Sequence, residues 1–143
     1  MIKAQTTKKT FSRETFVEAD IDAPAEKVWK ILTNIQNYSA WNSTLISIEG
    51  DIGLGGKICL VSKLDPTRTF KLKVIVFEPN KLLIWGDPMG KRTYMFEENF
   101  GITHFVMKEK IGGPIFPLFA GKIPSFDKSF EQFTNDLKKE AEK

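Results

Sequence analysis

The chain is poor in the residues that carry most metal, redox and nucleophilic chemistry. Its 143 residues include one cysteine and one histidine. A single cysteine, Cys59, cannot close an internal disulfide and offers nothing towards a multi-cysteine metal site. With His104 as the sole imidazole, no second histidine or cysteine stands at ligand spacing, so neither a metal nor a cofactor is expected. No window approaches the roughly 20 apolar residues of a membrane span, so an integral membrane protein is not expected. No compact block of Arg and Lys occurs either. The net charge of +3 is carried by scattered lysines, and no nucleic-acid partner is expected. Asn42-Ser43-Thr44 matches a glycosylation sequon, but nothing upstream reads as a secretion signal, and a cytoplasmic protein is the expectation.

What is present is ordinary for a folded domain: 41% hydrophobic and 27% charged residues, which argue against disorder. Residues 1–10 read as a flexible lead-in, and Lys3, Lys8, Lys9 and Arg13 as charges near the start of the chain. Residues 11–143 read as one domain, long enough for a proper core. Thr15, Val17, Ala19 and Ile21 alternate with charged neighbours and predict a half-buried strand, with Phe16 breaking the pattern. Pro24 suits the first position of a helix and Glu26 its first turn. Ala25, Val28, Trp29 and Leu32 then recur at helical spacing, followed by a second short apolar piece at Ile35, Tyr38 and Trp41.

Short strand patterns follow at regular intervals, from Leu45 to Glu49 through to Thr103 to Lys110. The turns between them are rich in Gly, Pro, Asn and Asp. That spacing predicts an antiparallel meander. Phe70, Leu72, Val74 and Val76 are assigned to one face of a single strand. Gly53-Leu54-Gly55-Gly56 reads as a hairpin turn, because a phosphate loop would open a helix and carry Lys-Ser or Lys-Thr. The end of the chain changes period. Phe116, Phe119, Ile123, Phe126, Phe130, Phe133 and Leu137 form one helical stripe. Pro124 removes a hydrogen bond and clashes with the preceding turn, so a break is expected at Gly121 to Pro124. A regular helix is expected from about Ser125 to Ala141.

The spacing of Ala23-Pro24, Val28-Trp29, Leu32, Tyr38 and Trp41-Asn42 resembles the opening of the SRPBCC superfamily. That superfamily includes START lipid-transfer domains, polyketide cyclase-like proteins and the birch-pollen allergen. Thr103-His104-Phe105, Gly112-Gly113, Pro117-Leu118 and Leu137-Lys138 resemble its polyketide cyclase-like members. Ser43 stands where members often have Pro, which predicts a looser start to the next strand. The resemblance implies an α+β helix-grip fold: a curved antiparallel sheet of about six or seven strands wrapped around a long C-terminal helix. It also implies two short helices after the first strand, and a cavity between sheet and C-terminal helix.

In such a fold the residues expected to line an apolar ligand pocket are Trp85, Phe105, Met107, Phe116, Phe119, Phe126 and Phe130, with Arg92 or His104 as a polar handle. His104 is the weak catalytic candidate, because its imidazole titrates near neutrality, although its parity opposes Phe105 and Met107. Glu97, Glu98 and Glu109 can serve as acid or base if one faces the cavity, and otherwise read as solvated strand faces. Cys59 reads as a buried small hydrophobe between Ile58 and Leu60. The expected partner is a small hydrophobic or amphipathic molecule, held for sequestration or transport. Two alternatives remain: a cyclase, aromatase or dehydratase-like enzyme, or a co-chaperone-like module that binds protein and has a filled cavity. Oligomeric state, monomer or dimer, is left open.

Overall fold

A computed structural model describes residues 2–143. The elements run β1 (Gln5–Lys8), β2 (Ser12–Ile21), α1 (Ala25–Thr33), a 3-10 turn (Ile35–Ala40), β3 (Leu45–Gly50), β4 (Lys57–Ser62), β5 (Phe70–Glu78), β6 (Leu82–Gly86), β7 (Gly90–Asn99) and β8 (Ile102–Gly112). The chain then forms α2 (Phe116–Phe119), a 3-10 turn (Ala120–Lys122) and α3 (Asp127–Ala141). The strands form one antiparallel sheet in the order β1-β2-β8-β7-β6-β5-β4-β3. β3 to β8 are a plain meander, and β2 closes it by pairing with β8 from Ser12 opposite Gly112 to Ile21 opposite Thr103. The fold is α+β with a large antiparallel sheet and a C-terminal helix, as a helix-grip architecture requires.

The sheet has eight strands, not six or seven, because the lead-in is itself a strand. Residues 5–8 pair with Arg13 to Phe16 as β1. Polar side chains alone gave no sign of this, since an edge strand is specified by its partner and not by an apolar face. β1 also ties down the start of α3: the Ala4 N–H donates to Glu131 at 2.9 Å, and the Thr6 hydroxyl donates to Asp127. β2 likewise begins earlier than its apolar alternation suggested. Its inward parity starts with Arg13, which is buried, and Phe16 simply faces outward.

α1 buries Ala25, Val28, Trp29 and Leu32, one face at helical spacing. Pro24 stands at its cap, one residue before the first helical position. Glu98 accepts from the Ala25 N–H at 2.7 Å and satisfies one of the open donors at the helix start. Trp29 meets Phe77 and Phe96 edge-on at 5.3 and 5.4 Å. That contact exists because the β5 register shifts between Val74 and Val76. A bulge reverses the parity beyond it, so Phe77 packs on the core while Ile75 is exposed. The single-face assignment from Phe70 to Val76 fails at this point.

Ser43 is tied to the C-terminal helix, and the strand it leads into begins with a register irregularity between Leu45 and Ser47. The Ser43 N–H and hydroxyl both donate to Asp136 on α3, at 2.8 and 2.7 Å, a bond that proline could not make through its nitrogen. α3 packs on β2 and α1 through Phe130, Phe133, Thr134, Leu137 and Ala141. At its far end Lys138 donates to the Asp20 carbonyl, and Glu142 accepts from the Asp22 N–H. The helix is therefore fastened at both ends to the N-terminal strands.

Tyr38 sits between α1 and the cavity described below, with its hydroxyl donating to the Leu32 carbonyl. Burial pushes its phenol well above the ordinary value, with Tyr94 adding to the shift and Arg92 opposing it. An unfolded tyrosine ionises near about pH 10 while the folded Tyr38 stays protonated, so its stabilising contribution is complete below that pH. That contribution is lost as the pH rises towards the folded value. Urea unfolding from about pH 9 to about pH 11 should show a steep loss of stability in the parent chain and a shallower one in Tyr38→Phe.

Candidate functional site

The break predicted at Gly121 to Pro124 is present and creates the site. α3 starts only at Asp127, and the preceding aromatic residues belong to a separate flap, residues 113–126, built from α2 and the 3-10 turn. Between flap, α3 and the inner faces of β4 to β8 lies a cavity of about 540 Å³. Trp85, Met107, Phe119, Phe126 and Phe130 line it, as does Phe133. Two residues expected there do not reach it. Phe105 is fully buried in the core against Tyr94 and Phe96, and Phe116 is buried beside Phe119.

The cavity holds one ion pair. Arg92 Nε donates to Glu109 Oε1 at 2.9 Å, with the two side chains 22% and 18% exposed. The two residues stand directly opposite each other on β7 and β8. Arg92 also lies over the Phe130 ring at 4.7 Å, so its guanidinium is held by a carboxylate at one edge and a π face below. Burial by itself would lower the Arg92 pKa, but Glu109 and Tyr94 outweigh it and hold the group above its ordinary value. Burial raises the Tyr94 phenol against the pull of Arg92. The guanidinium stays charged throughout the useful pH range. Glu109, read as part of a solvated strand face, is instead a wall of the cavity. Its parity with Met107 is the signal that placed it there.

Arg13 forms the second polar station. Its two terminal nitrogens donate to the carbonyls of Ile123 and Pro124, at 3.1 and 2.7 Å, and its guanidinium stacks on Phe126 at 4.9 Å. Burial pulls its pKa below the ordinary value, while Glu109 and Asp127 act in the opposite direction. Those carbonyls belong to the helix break, where no intrahelical donor exists for them. Arg13 thus fastens the flap to β2, and Ile123, Pro124 and Phe126 are themselves cavity wall.

His104 is elsewhere. It lies on the outer face of β8 with Nδ1 2.8 Å from Asp20 and Nε2 3.7 Å from Glu18. An orienting carboxylate does exist, supplied by β2 and not by the local sequence, but the pair does not line the cavity. Glu98 is used at the start of α1, Glu97 is exposed opposite His104, and neither lines the cavity. Cys59 is half-buried, whereas its neighbour Ile58 points into the core. Among the described residues no group of three or more His, Cys, Asp or Glu side chains is placed to hold a metal ion. No helix among them is long and apolar enough to cross a membrane.

Comparison with known proteins agrees with this architecture. The sequence matches the family described as polyketide cyclase / dehydrase and lipid transport over residues 12–142. The chain belongs to that family. This is the polyketide cyclase-like branch of the SRPBCC superfamily that the Ala-Pro, Val-Trp and Trp-Asn spacing resembles. Among solved structures, a conserved protein of unknown function from Enterococcus faecalis is similar with a TM-score of 0.69 and 17% identity, covering 95% of this chain and 75% of the other. A protein from Rhodobacter sphaeroides gives 0.69 and 20%, covering 96% and 97%. A START superfamily protein from Mycobacterium smegmatis gives 0.65 and 13%, covering 90% and 97%. At these identities the likeness is one of fold. No curated protein matches the chain.

Removing the Arg13 clasp should free the flap without unfolding the sheet. In Arg13→Gln, backbone amides of residues 116–126 should exchange with deuterium at least about tenfold faster, while those of the β2–β8 ladder keep their protection. Equal protection of the flap in both proteins would show that Arg13 does not hold it.

Proposed function

We propose that this protein binds an uncharged amphipathic small molecule, with its apolar body among the cavity aromatics and a hydroxyl or carbonyl head at Arg92 and Glu109. The observation that carries the reading is the ion pair itself: charge is placed inside an apolar cavity and is already neutralised there. At the inner wall Arg92 is paired with Glu109, with Arg13 and Asp127 behind it, and the other charged side chains of the lining, Asp65, Arg68, Asp87 and Lys122, belong to the connecting segments at the open end. A ligand carboxylate would add an unbalanced negative charge in a poorly solvated space, whereas a neutral head adds none. Arg92 keeps donors beyond its Nε bond, and Glu109 keeps lone pairs, so one hydroxyl can both accept and donate. Burial of the apolar body supplies roughly 25 cal/mol per Å² before ordering costs. The free thiol of Cys59 suits a reducing, cytoplasmic setting.

A second reading rests on Glu109. A carboxylate beside a fixed guanidinium in a water-poor pocket can take a proton from a carbon acid while the guanidinium stabilises the developing oxyanion. That would be cyclase or dehydratase-like chemistry, with Glu109 in the role that His104 cannot fill from the outer face. An open cavity of about 540 Å³ counts against the protein-binding module, which called for a filled one.

Titration calorimetry with 1-dodecanol and dodecanoate tests the reading. The alcohol should bind more tightly by about tenfold, or roughly 1.4 kcal/mol. Replacing both partners, Arg92→Met with Glu109→Leu, leaves no unpaired charge and should erase that preference while the chain stays folded. His104→Ala should leave both affinities within about twofold, as expected for a surface side chain. Tighter binding of dodecanoate, or no binding of either, would sink the proposal. Under the enzymatic reading, Glu109→Gln would retain binding and lose turnover by roughly 10² or more.

A further inference from the structure

The cavity opens at one end of the sheet, and the surface around that opening has a distinctive chemistry. Besides the polar entry to β3 at residues 41–44, the antiparallel order places four connecting segments there: residues 9–11 before β2, 63–69 between β4 and β5, 87–89 between β6 and β7, and the flap, residues 113–126. Each contributes exposed apolar side chains. Phe11 is 58% exposed, Ile115 59% and Leu118 81%, and Leu64 and Met89 are exposed as well. Leu64, Met89 and Ile115 also line the cavity, so apolar side chains continue from the interior onto the outer rim, interspersed with Asp65, Arg68, Asp87 and Lys122. Phe11 and Met89 share a shallow depression with Lys91 and Lys110 beside that rim.

The same segments are basic. They carry Lys9, Lys63, Arg68 and Lys122 against Asp65 and Asp87, with exposed Lys91 and Lys110 at the adjoining strand ends. Asp87 is already occupied, accepting the Met89 and Gly90 N–H groups, and Asp65 accepts from the Thr67 hydroxyl. The loops at the opposite end carry Asp22, Asp51 and Glu142 against Lys81 and Lys143. The two ends therefore differ in charge: exposed apolar side chains occur at both, with Leu54, Phe100 and Ile102 at the closed end, but only the open end combines them with an excess of cations. A soluble monomer rarely exposes such a contiguous patch without a partner.

We propose that the open end docks on an anionic lipid bilayer surface, with Leu118, Ile115, Phe11 and Met89 entering the headgroup layer and the surrounding lysines facing lipid phosphates. A bilayer fits better than a small anion, because the cations are spread over several separate segments that also carry the exposed apolar side chains. Shallow apolar insertion combined with several basic residues is the combination that holds proteins reversibly at membranes. Each lysine near an anionic leaflet is worth roughly fivefold in affinity, and salt screens that gain. Docking in this orientation would bring the cavity mouth against the lipid phase. The proposal goes beyond ligand binding, and its test needs no cavity ligand.

The test is co-sedimentation of the full chain with vesicles of phosphatidylcholine, with and without phosphatidylglycerol. The expected result is binding to the mixed vesicles, weaker binding to phosphatidylcholine alone by about tenfold or more, and release by high salt. Leu118→Asp and Lys122→Glu, both on the exposed flap, should each reduce binding. Phe100→Asp, a fully exposed aromatic at the opposite end, should leave it unchanged. Absence of binding to mixed vesicles overturns the proposal. So does binding that is insensitive to Leu118→Asp, or binding lost with Phe100→Asp. Dodecanol binding without vesicle binding would leave the cavity reading standing and remove this one. Vesicle binding without dodecanol binding would do the reverse.

Discussion

One missing backbone donor shapes this protein's functional end. Pro124 has no N–H, so the aromatic stripe from Phe116 to Leu137 cannot run as a single helix. The stripe divides instead: Phe130, Phe133 and Leu137 stay on α3 and pack on the sheet, while Phe119 and Ile123 turn away in the flap. The space between the two halves is the cavity. The break also exposes the carbonyls of Ile123 and Pro124, and the fold answers with Arg13. A buried arginine on the first long strand and a proline more than a hundred residues later are parts of one device.

The electrostatics of the interior follow from that device. Arg13 brings a positive charge to the inner face of β2, close to Asp127 at the start of α3 and to Glu109 on β8. Glu109 in turn holds Arg92, and Phe130 supports the guanidinium from the helix side. Each charge is compensated by a neighbour from another element, which allows several ionised groups to sit in a largely apolar space. The same balance gives the inner part of the cavity its character: apolar walls with a neutral polar station, while Asp65, Arg68, Asp87 and Lys122 line it from the connecting segments at its open end. The outer rim differs, because there the cations stand in water and outnumber the carboxylates.

Much of this was legible in the chain. The inward face of α1 followed from the spacing of Ala25, Val28, Trp29 and Leu32, and the meander from its turn residues. Glu109 was within reach of the same logic, since it shares parity with Met107, but a charged residue on an inward face is assigned to solvent unless its partner is known. That partner, Arg92, sits on another strand, and only the register of β7 against β8 sets them opposite each other. β1 was invisible for a related reason: Gln5–Lys8 has no apolar face, and its pairing with β2 is all that makes it a strand. The β5 bulge shows the limit of period-two reading, because one extra residue sent Phe77 to the core although it shares parity with the exposed Ile75.

The division of labour is therefore physical. The sequence by itself determined what depends on neighbours a few residues apart: helix faces, turns, the break at Pro124 and the position of His104 opposite in parity to Met107. Those are set by backbone sterics and by the periods of 3.6 and 2 residues. Only the tertiary structure decided which charges meet. Arg13, Arg92, Glu109 and Asp127 come from four elements separated by long stretches of chain. Their partnership depends on strand register and helix docking, and no local pattern encodes either.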